Sequence, residues 1–204
     1  MNETLFEQIN ALARATPWLH ALITACAAYG VVVFALLLGA GWWSARRSGE
    51  PQRMAAALCA GAATLLAVAI NQPIVSAVHE ARPYTDHPGV LVLATRSADF
   101  SWPSDHAVMA GAVAAGLVFV SGRLAALAVV AALAMAFARV YIAAHYPADV
   151  AVGLMLGAAV ALVVYLAAHR LVSSAVLAVV DRDGRLRPLL TASPPRPAAT
   201  ESSR

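Results

Sequence analysis

The sequence contains no lysine: all 14 of its basic residues are arginine. Charge of either sign is scarce, at 12% of residues against about a quarter in soluble domains. Meanwhile 61% of residues are hydrophobic, and the mean hydropathy is +0.71. So little charge excludes a disordered chain, a coiled coil and an ordinary soluble enzyme, and directs attention to a membrane. There is no basic stripe, because the arginines gather at loop ends; a nucleic-acid-binding face is thereby excluded. Cysteine is limited to Cys26 and Cys59, both in apolar runs and without C-x-x-C spacing. They read as small hydrophobes with no redox or metal role.

What is present is a succession of apolar runs. Residues 1–16 set Phe6, Ile9, Leu12 and Ala13 against Glu3, Glu7, Asn10 and Arg14, a short amphipathic pattern suited to an interface. A basic start and a small-residue cleavage site are both missing, so this is not a signal peptide. Residues 18–43 are nearly free of charge and form the first expected span, with Trp18, Trp42 and Trp43 as interfacial anchors. Further spans are expected over 54–78, 105–120, 124–144 and 148–168. Between the second and third lies a long polar segment, 79–103, with Pro83, Pro88 and Gly89. The expected fold is all-α: a polytopic membrane helical bundle with five transmembrane helices plus an N-terminal interfacial helix. There is no internal repeat. One domain is expected over 1–168, with its motif core at 54–168. A cytoplasmic tail, 169–204, ends in a Pro/Ala/Ser stretch expected to be disordered.

Five spans put the termini on opposite sides, and arginine then sets the orientation. Ten arginines (46, 47, 53, 123, 170, 182, 185, 187, 196 and 204) fall on one side, and Arg14, Arg82, Arg96 and Arg139 fall on the other. The arginine-rich side is expected to be cytoplasmic, with segment 79–103 facing outward. In that topology His79, Glu80, Arg82, Asp105, His106, Arg139, His145 and Asp149 all lie at outward span ends. A charge inside a bilayer costs at least about 2.5 kcal/mol, so such residues usually line a cavity or a site. The order of spans alone therefore directs four helix ends to one outward pocket.

Arg82 and Arg139 offer planar forks that match phosphate oxygens. The run Pro103-Ser104-Asp105-His106 opens a helix, whose free N–H groups suit an anion, and Ser104 can cap it or donate. Taken singly, each arginine reads as a snorkelling interfacial residue. Two of them, meeting a helix start and two histidines on one face, read as a phosphate site. His145 and Asp149 are four residues apart, with Pro147 in the first helical turn between them. A carboxylate on one imidazole nitrogen fixes the tautomer and leaves the other as nucleophile or base. His106 is a second imidazole, so one histidine can attack phosphorus while the other protonates the leaving oxygen. A metal site built from His106, His145, Asp105 and Asp149 competes with this reading, although two adjacent arginines would repel a dication. His20, His87 and His169 read as interfacial residues bonded to backbone.

Together these residues resemble the type 2 phosphatidic acid phosphatase superfamily. Its third signature, Ser-Arg, five residues, His, three residues, Asp, is matched from Ala138-Arg139 through His145 to Asp149, with Ala138 in place of Ser. Its second, Pro-Ser-Gly-His, is Pro103-Ser104-Asp105-His106 here, and its first, Lys, six residues, Arg-Pro, keeps Arg82-Pro83 but has Val75 at the Lys position. Residues 5–10 (Leu-Phe-Glu-Gln-Ile-Asn), the small size and Asp105 resemble the bacitracin-resistance branch, which comprises undecaprenyl-diphosphate phosphatases. The resemblance implies that His145 is the nucleophile forming a phosphohistidine, that Asp149 orients it and that His106 protonates the leaving group. It also implies that Arg82, Ser104 and Arg139 hold the phosphoryl oxygens, and that neither metal nor cofactor is needed. The implied substrate is a polyprenyl diphosphate, hydrolysed at the outer face of a bacterial plasma membrane to recycle the carrier lipid of peptidoglycan synthesis. Alternatives are another lipid phosphate, such as phosphatidylglycerophosphate or phosphatidic acid, and a non-catalytic lipid-phosphate binder.

Overall fold

The computed structural model describes residues 2–182 and 186–192. Among these, every regular element is a helix: α1 Asn2–Ala15, α2 His20–Ser48, α3 Pro51–Val78, α4 Pro83–Asp86, α5 Asp105–Val118, α6 Gly122–Tyr141, α7 Pro147–Arg182 and α8 Arg187–Leu190, with a 3-10 turn, Pro17–Leu19, before α2. The breaks follow from local chemistry. Gly49 ends α2 in the left-handed conformation, at φ +70°. Pro51 then opens α3 at a position where its missing N–H costs no hydrogen bond. The expected disorder of the Pro/Ala/Ser tail concerns residues outside the described ones.

Four helical segments are long and apolar enough to cross a bilayer: Pro17–Ser48, Pro51–Asp86, Gly122–Tyr141 and Pro147–Arg182. The expected third span is shorter than read. It ends at Val118 after 14 residues, a rise of about 21 Å against the roughly 30 Å of a hydrocarbon core. Of the five expected transmembrane helices, four are thus full-length and the third is a short central helix. The reason is that Ser101, Pro103 and Ser104 fold into the end of the bundle and are fully buried, so α5 starts below the rim. The fifth span overruns its expected end at residue 168. It continues without a break to Arg182, about four more turns.

Helix α5 is the core. Ala107, Val108, Ala110, Ala112, Val113 and Leu117 are completely buried along it, and it packs on α3, α6 and α7. Glycine permits the closest of these contacts. A Cβ at Gly157 of α7 would lie 1.9 Å from the Val108 carbonyl oxygen, and one at Gly111 of α5 would lie 2.2 Å from that of Leu154. Small residues replace the hydrophobic effect as the means of close helix packing in lipid.

Helix α1 lies across one end of the bundle, against α6 and α7. Its inward face is Phe6, Asn10 and Ala13, whereas the sequence pattern put Asn10 with the polar face and Leu12 with the apolar one. Leu12 is 44% exposed. Asn10 is buried because it pairs with a backbone: its Nδ2 donates to the Leu91 carbonyl at 2.8 Å, and the Leu91 N–H donates to its Oδ1 at 3.0 Å. The same end holds segment 79–104, pinned further by the N–H groups of Leu93 and Ala94 donating to Ile142 O at 3.2 and 3.0 Å. At the other end, Arg46 of α2 donates to the Pro188 carbonyl and accepts from Ala192 N–H.

Candidate active site

At the end covered by α1 and segment 79–104 there is a cavity of about 600 Å³. Arg82, Asp105, His106, Arg139 and His145 stand on its wall. These come from the loop after α3, the first turn of α5, the last turn of α6 and the turn before α7, as the order of spans required. His79 and Glu80 do not line it. The His79 ring packs edge-on against Phe100, with centroids 4.4 Å apart.

His145 is 3% exposed, and both of its ring nitrogens are engaged. Nδ1 donates to the Ser101 carbonyl at 2.8 Å. A carbonyl can only accept, so this bond fixes the proton on Nδ1 and leaves the Nε2 lone pair free. Arg139 and Arg82 direct guanidinium N–H groups at that Nε2, with nitrogens 3.2 and 3.3 Å away. Burial first, and then the charges of Arg139 and Arg82, hold the imidazole well below its ordinary pKa. The ring is therefore neutral, with its lone pair facing the two guanidiniums on the cavity wall.

Both guanidiniums are themselves oriented. Arg82 donates from Nε to the Asp99 carbonyl at 2.9 Å and from Nη1 to the Ala144 carbonyl at 3.0 Å. The buried Nε of Arg139 has no partner among the described residues.

Asp149 and Ser104 lie behind the wall and are fully buried. The sequence pairs Asp149 directly with His145. Its Oδ2 is 3.5 Å from Nδ1, but its shorter bonds go to the Ser101 hydroxyl, at 2.5 Å, and to the Tyr146 N–H, at 2.9 Å. The carboxylate thus holds Ser101, and the Ser101 carbonyl holds the imidazole. Ser104 precedes α5 without forming a side-chain cap, and its buried hydroxyl has no partner. The Ser104 N–H donates to the Asp149 carbonyl at 3.2 Å, which joins the second and third motifs.

Asp105, a carboxylate on a cavity wall that also carries Arg82 and Arg139, turns its Oδ1 toward α3. Asn71 Nδ2 donates to it at 2.7 Å and Gln72 Nε2 at 3.0 Å. Asn71 also donates to the Pro103 carbonyl at 3.0 Å. The sequence reading missed Ser101, Asn71 and Gln72. A serine in a polar loop gives no signal. The pair Asn71-Gln72 within an apolar run did give one, because amides in a span are costly unless paired. Val75, at the position of the family lysine, lines the same cavity. His20 and His169 bond the carbonyls of Ala13 and Gln52 at 2.8 and 2.9 Å. Among the described residues, no three His, Cys, Asp or Glu side chains gather closely enough to hold a metal ion.

Residues 56–173 match the PAP2 superfamily. The chain belongs to that superfamily. As a PAP2 member it is 31% identical to the undecaprenyl-diphosphatase BcrC of Bacillus subtilis over 150 residues, 74% of this chain and 75% of that protein. It is 39% identical to the decaprenylphosphoryl-5-phosphoribose phosphatase of Mycobacterium tuberculosis over 114 residues, 56% of this chain and 62% of that protein. Its fold is similar to the crystal structure of Aquifex aeolicus LpxE, with a TM-score of 0.60 and 25% identity over 81% of this chain and 94% of that one. The protein is a PAP2 membrane lipid phosphatase.

Proposed function

We propose that this phosphatase hydrolyses a polyprenyl diphosphate, undecaprenyl diphosphate being the type substrate, to the monophosphate and inorganic phosphate through a phosphohistidine. The observation that carries the reading is the His145 imidazole, with its proton fixed on Nδ1 and its Nε2 lone pair 3.2–3.3 Å from two guanidinium nitrogens. That is a nucleophile placed where the oxygens of a phosphoryl group find donors.

In this reaction Nε2 attacks the terminal phosphorus in line. The N–P bond forms as the bridging P–O bond breaks, and the electron pair goes to the leaving oxygen, which takes a proton from His106. Water, giving a proton to His106, then attacks phosphorus. The N–P bond breaks, and its electron pair returns to Nε2. Arg82 and Arg139 neutralise the equatorial oxygens, and the unpartnered Ser104 hydroxyl and Arg139 Nε are donors for them. Asp149 is a positioning residue. Through Ser101 it keeps Nδ1–H pointed away from phosphorus, and its charge at 3.5 Å favours the imidazolium formed on attack. None of these steps calls on a metal or cofactor.

The lipid part of the reading rests on the cavity's further walls, Thr24, Ala27 and Ala28 of α2 and Gln72, Val75 and Ser76 of α3. These carry the headgroup site to the side of the bundle, where a prenyl chain lies in the bilayer. We place the protein in a bacterial plasma membrane with five crossing helices, the fifth being the short α5 continued by its flanking turns. Residues 1–168 form the phosphatase domain, and the site faces outward. A lipid-linked sugar phosphate is the second reading, favoured by the likeness to the decaprenylphosphoryl-5-phosphoribose phosphatase. The test is phosphate release from undecaprenyl diphosphate in detergent with EDTA present. Turnover that survives chelation, together with an acid-labile phosphoprotein lost in His145→Gln, is expected; turnover by His145→Gln would remove the covalent mechanism.

A further inference from the structure

Asp105 sets a carboxylate on the wall of the cavity beside His106, and the structure gives it a defined pose. Its Oδ1 is fixed by two amide donors, from Asn71 at 2.7 Å and Gln72 at 3.0 Å. Among the described residues its Oδ2 has no hydrogen-bond partner, and the residue stands on the cavity wall beside His106. A carboxylate so held is an acceptor only. Against an ionised phosphate oxygen it is repulsive, whereas against a P–OH group it accepts a short, charge-assisted hydrogen bond.

Where a third cation would offset it, the α3 side of the cavity supplies none, because Val75, Gln72 and Ser76 are uncharged. We propose that Asp105 is a specificity-determining residue that selects the singly protonated phosphoryl group, its Oδ2 accepting a hydrogen bond from the substrate's P–OH while Arg82 and Arg139 donate to the charged oxygens. The proposal deepens the phosphatase reading and rests on it for the identity of the bound group.

The other titratable and charged groups facing this volume are Arg82 and Asp99 from segment 79–104, His106 from α5, Arg139 from α6 and His145 before α7; α2 and α3 contribute none. Loss of a proton from His106 is the competing source of an alkaline fall in rate, and substitution of Asp105 separates the two by sign. In Asp105→Asn the remaining oxygen still accepts from Asn71 and Gln72, and an N–H donor replaces Oδ2. Selection of a P–OH then predicts that the alkaline limb of kcat/KM for undecaprenyl diphosphate moves upward or disappears. If Asp105 only kept His106 protonated, removing its charge would move that limb downward.

Binding of methylphosphonate, a non-hydrolysable anion whose second ionisation removes its last P–OH, to the detergent-solubilised protein, read by calorimetry, gives the same comparison without turnover. The wild-type dissociation constant should rise about tenfold per pH unit above the ligand's second ionisation, and that of Asp105→Asn should stay nearly flat. Asp105→Ser, which drops the carboxylate and the α3 lock together, should flatten it too and serves if the Asn variant does not fold. Parallel pH dependence in wild type and variants, or a downward shift of the alkaline limb, overturns the proposal. Methylphosphonate binding with the expected pH pattern but no hydrolysis of the diphosphate would leave the Asp105 inference standing and refute the functional reading.

Discussion

The His145 ring is surrounded by Ser101, Arg82, Arg139 and, one bond further out, Asp149. Removing the Ser101 hydroxyl leaves its carbonyl on Nδ1 but frees the Asp149 carboxylate. Ser101→Ala should lower kcat about tenfold, the equivalent of roughly 1.4 kcal/mol, with KM little changed; steady-state kinetics in detergent checks this. Acidity provides a second test. Because burial and the two arginines hold the His145 pKa below its ordinary value, the free base persists as pH falls below about 6.5, where an ordinary histidine would be protonated. The acid limb of kcat/KM set by His145 should therefore lie below that pH, and Arg139→Gln should move it upward by removing one of the causes. The same shift acts on stability. Below the unfolded-state pKa the unfolded chain binds the proton that the folded state refuses, so His145 makes the fold lose stability as pH falls through that value.

At the scale of elements, the α5–α7 contact and the α1 cap are the features that place these residues. Gly157→Ala puts a methyl 1.9 Å from the Val108 carbonyl oxygen, whereas Gly61 has nothing within 4 Å of an added Cβ. The first substitution should force the helices apart, lowering both the melting temperature and activity. Gly61→Ala should be neutral or stabilising by about 0.5–1 kcal/mol through helix propensity; thermal unfolding in detergent compares the pair. Phe6 is fully buried with its ring 5.4 Å from Tyr146, the neighbour of His145. Phe6→Ala should cost about 3–5 kcal/mol locally and should reduce kcat by loosening the turn that carries His145. Helix α1 is thus a packed part of the active-site end, where its amphipathic pattern alone indicated only an interface.

For the whole molecule, the bundle carries its site at one end, and Arg46, Arg47, Arg53 and Arg123 sit at helix termini of the other. With Cys26 and Cys59 replaced by alanine, Ser97→Cys should react with a membrane-impermeant maleimide in intact spheroplasts. Arg123→Cys should react only after permeabilisation. The reverse pattern would invert the proposed orientation.

The sequence by itself determined an all-helical membrane chain and the convergence of Arg82, His106, Arg139 and His145, because the length of apolar runs and the alternation of their ends are one-dimensional properties. It could not show that α5 is short, since its depth depends on residues 101–104 folding inward. It hid Ser101 between His145 and Asp149, because a contact spanning 44 residues leaves no local pattern. The direction of Asp105 was equally out of reach, being set by amides on another helix. Those decisions belong to the tertiary structure, where buried polar groups must find partners and only the packed arrangement determines which ones lie within reach.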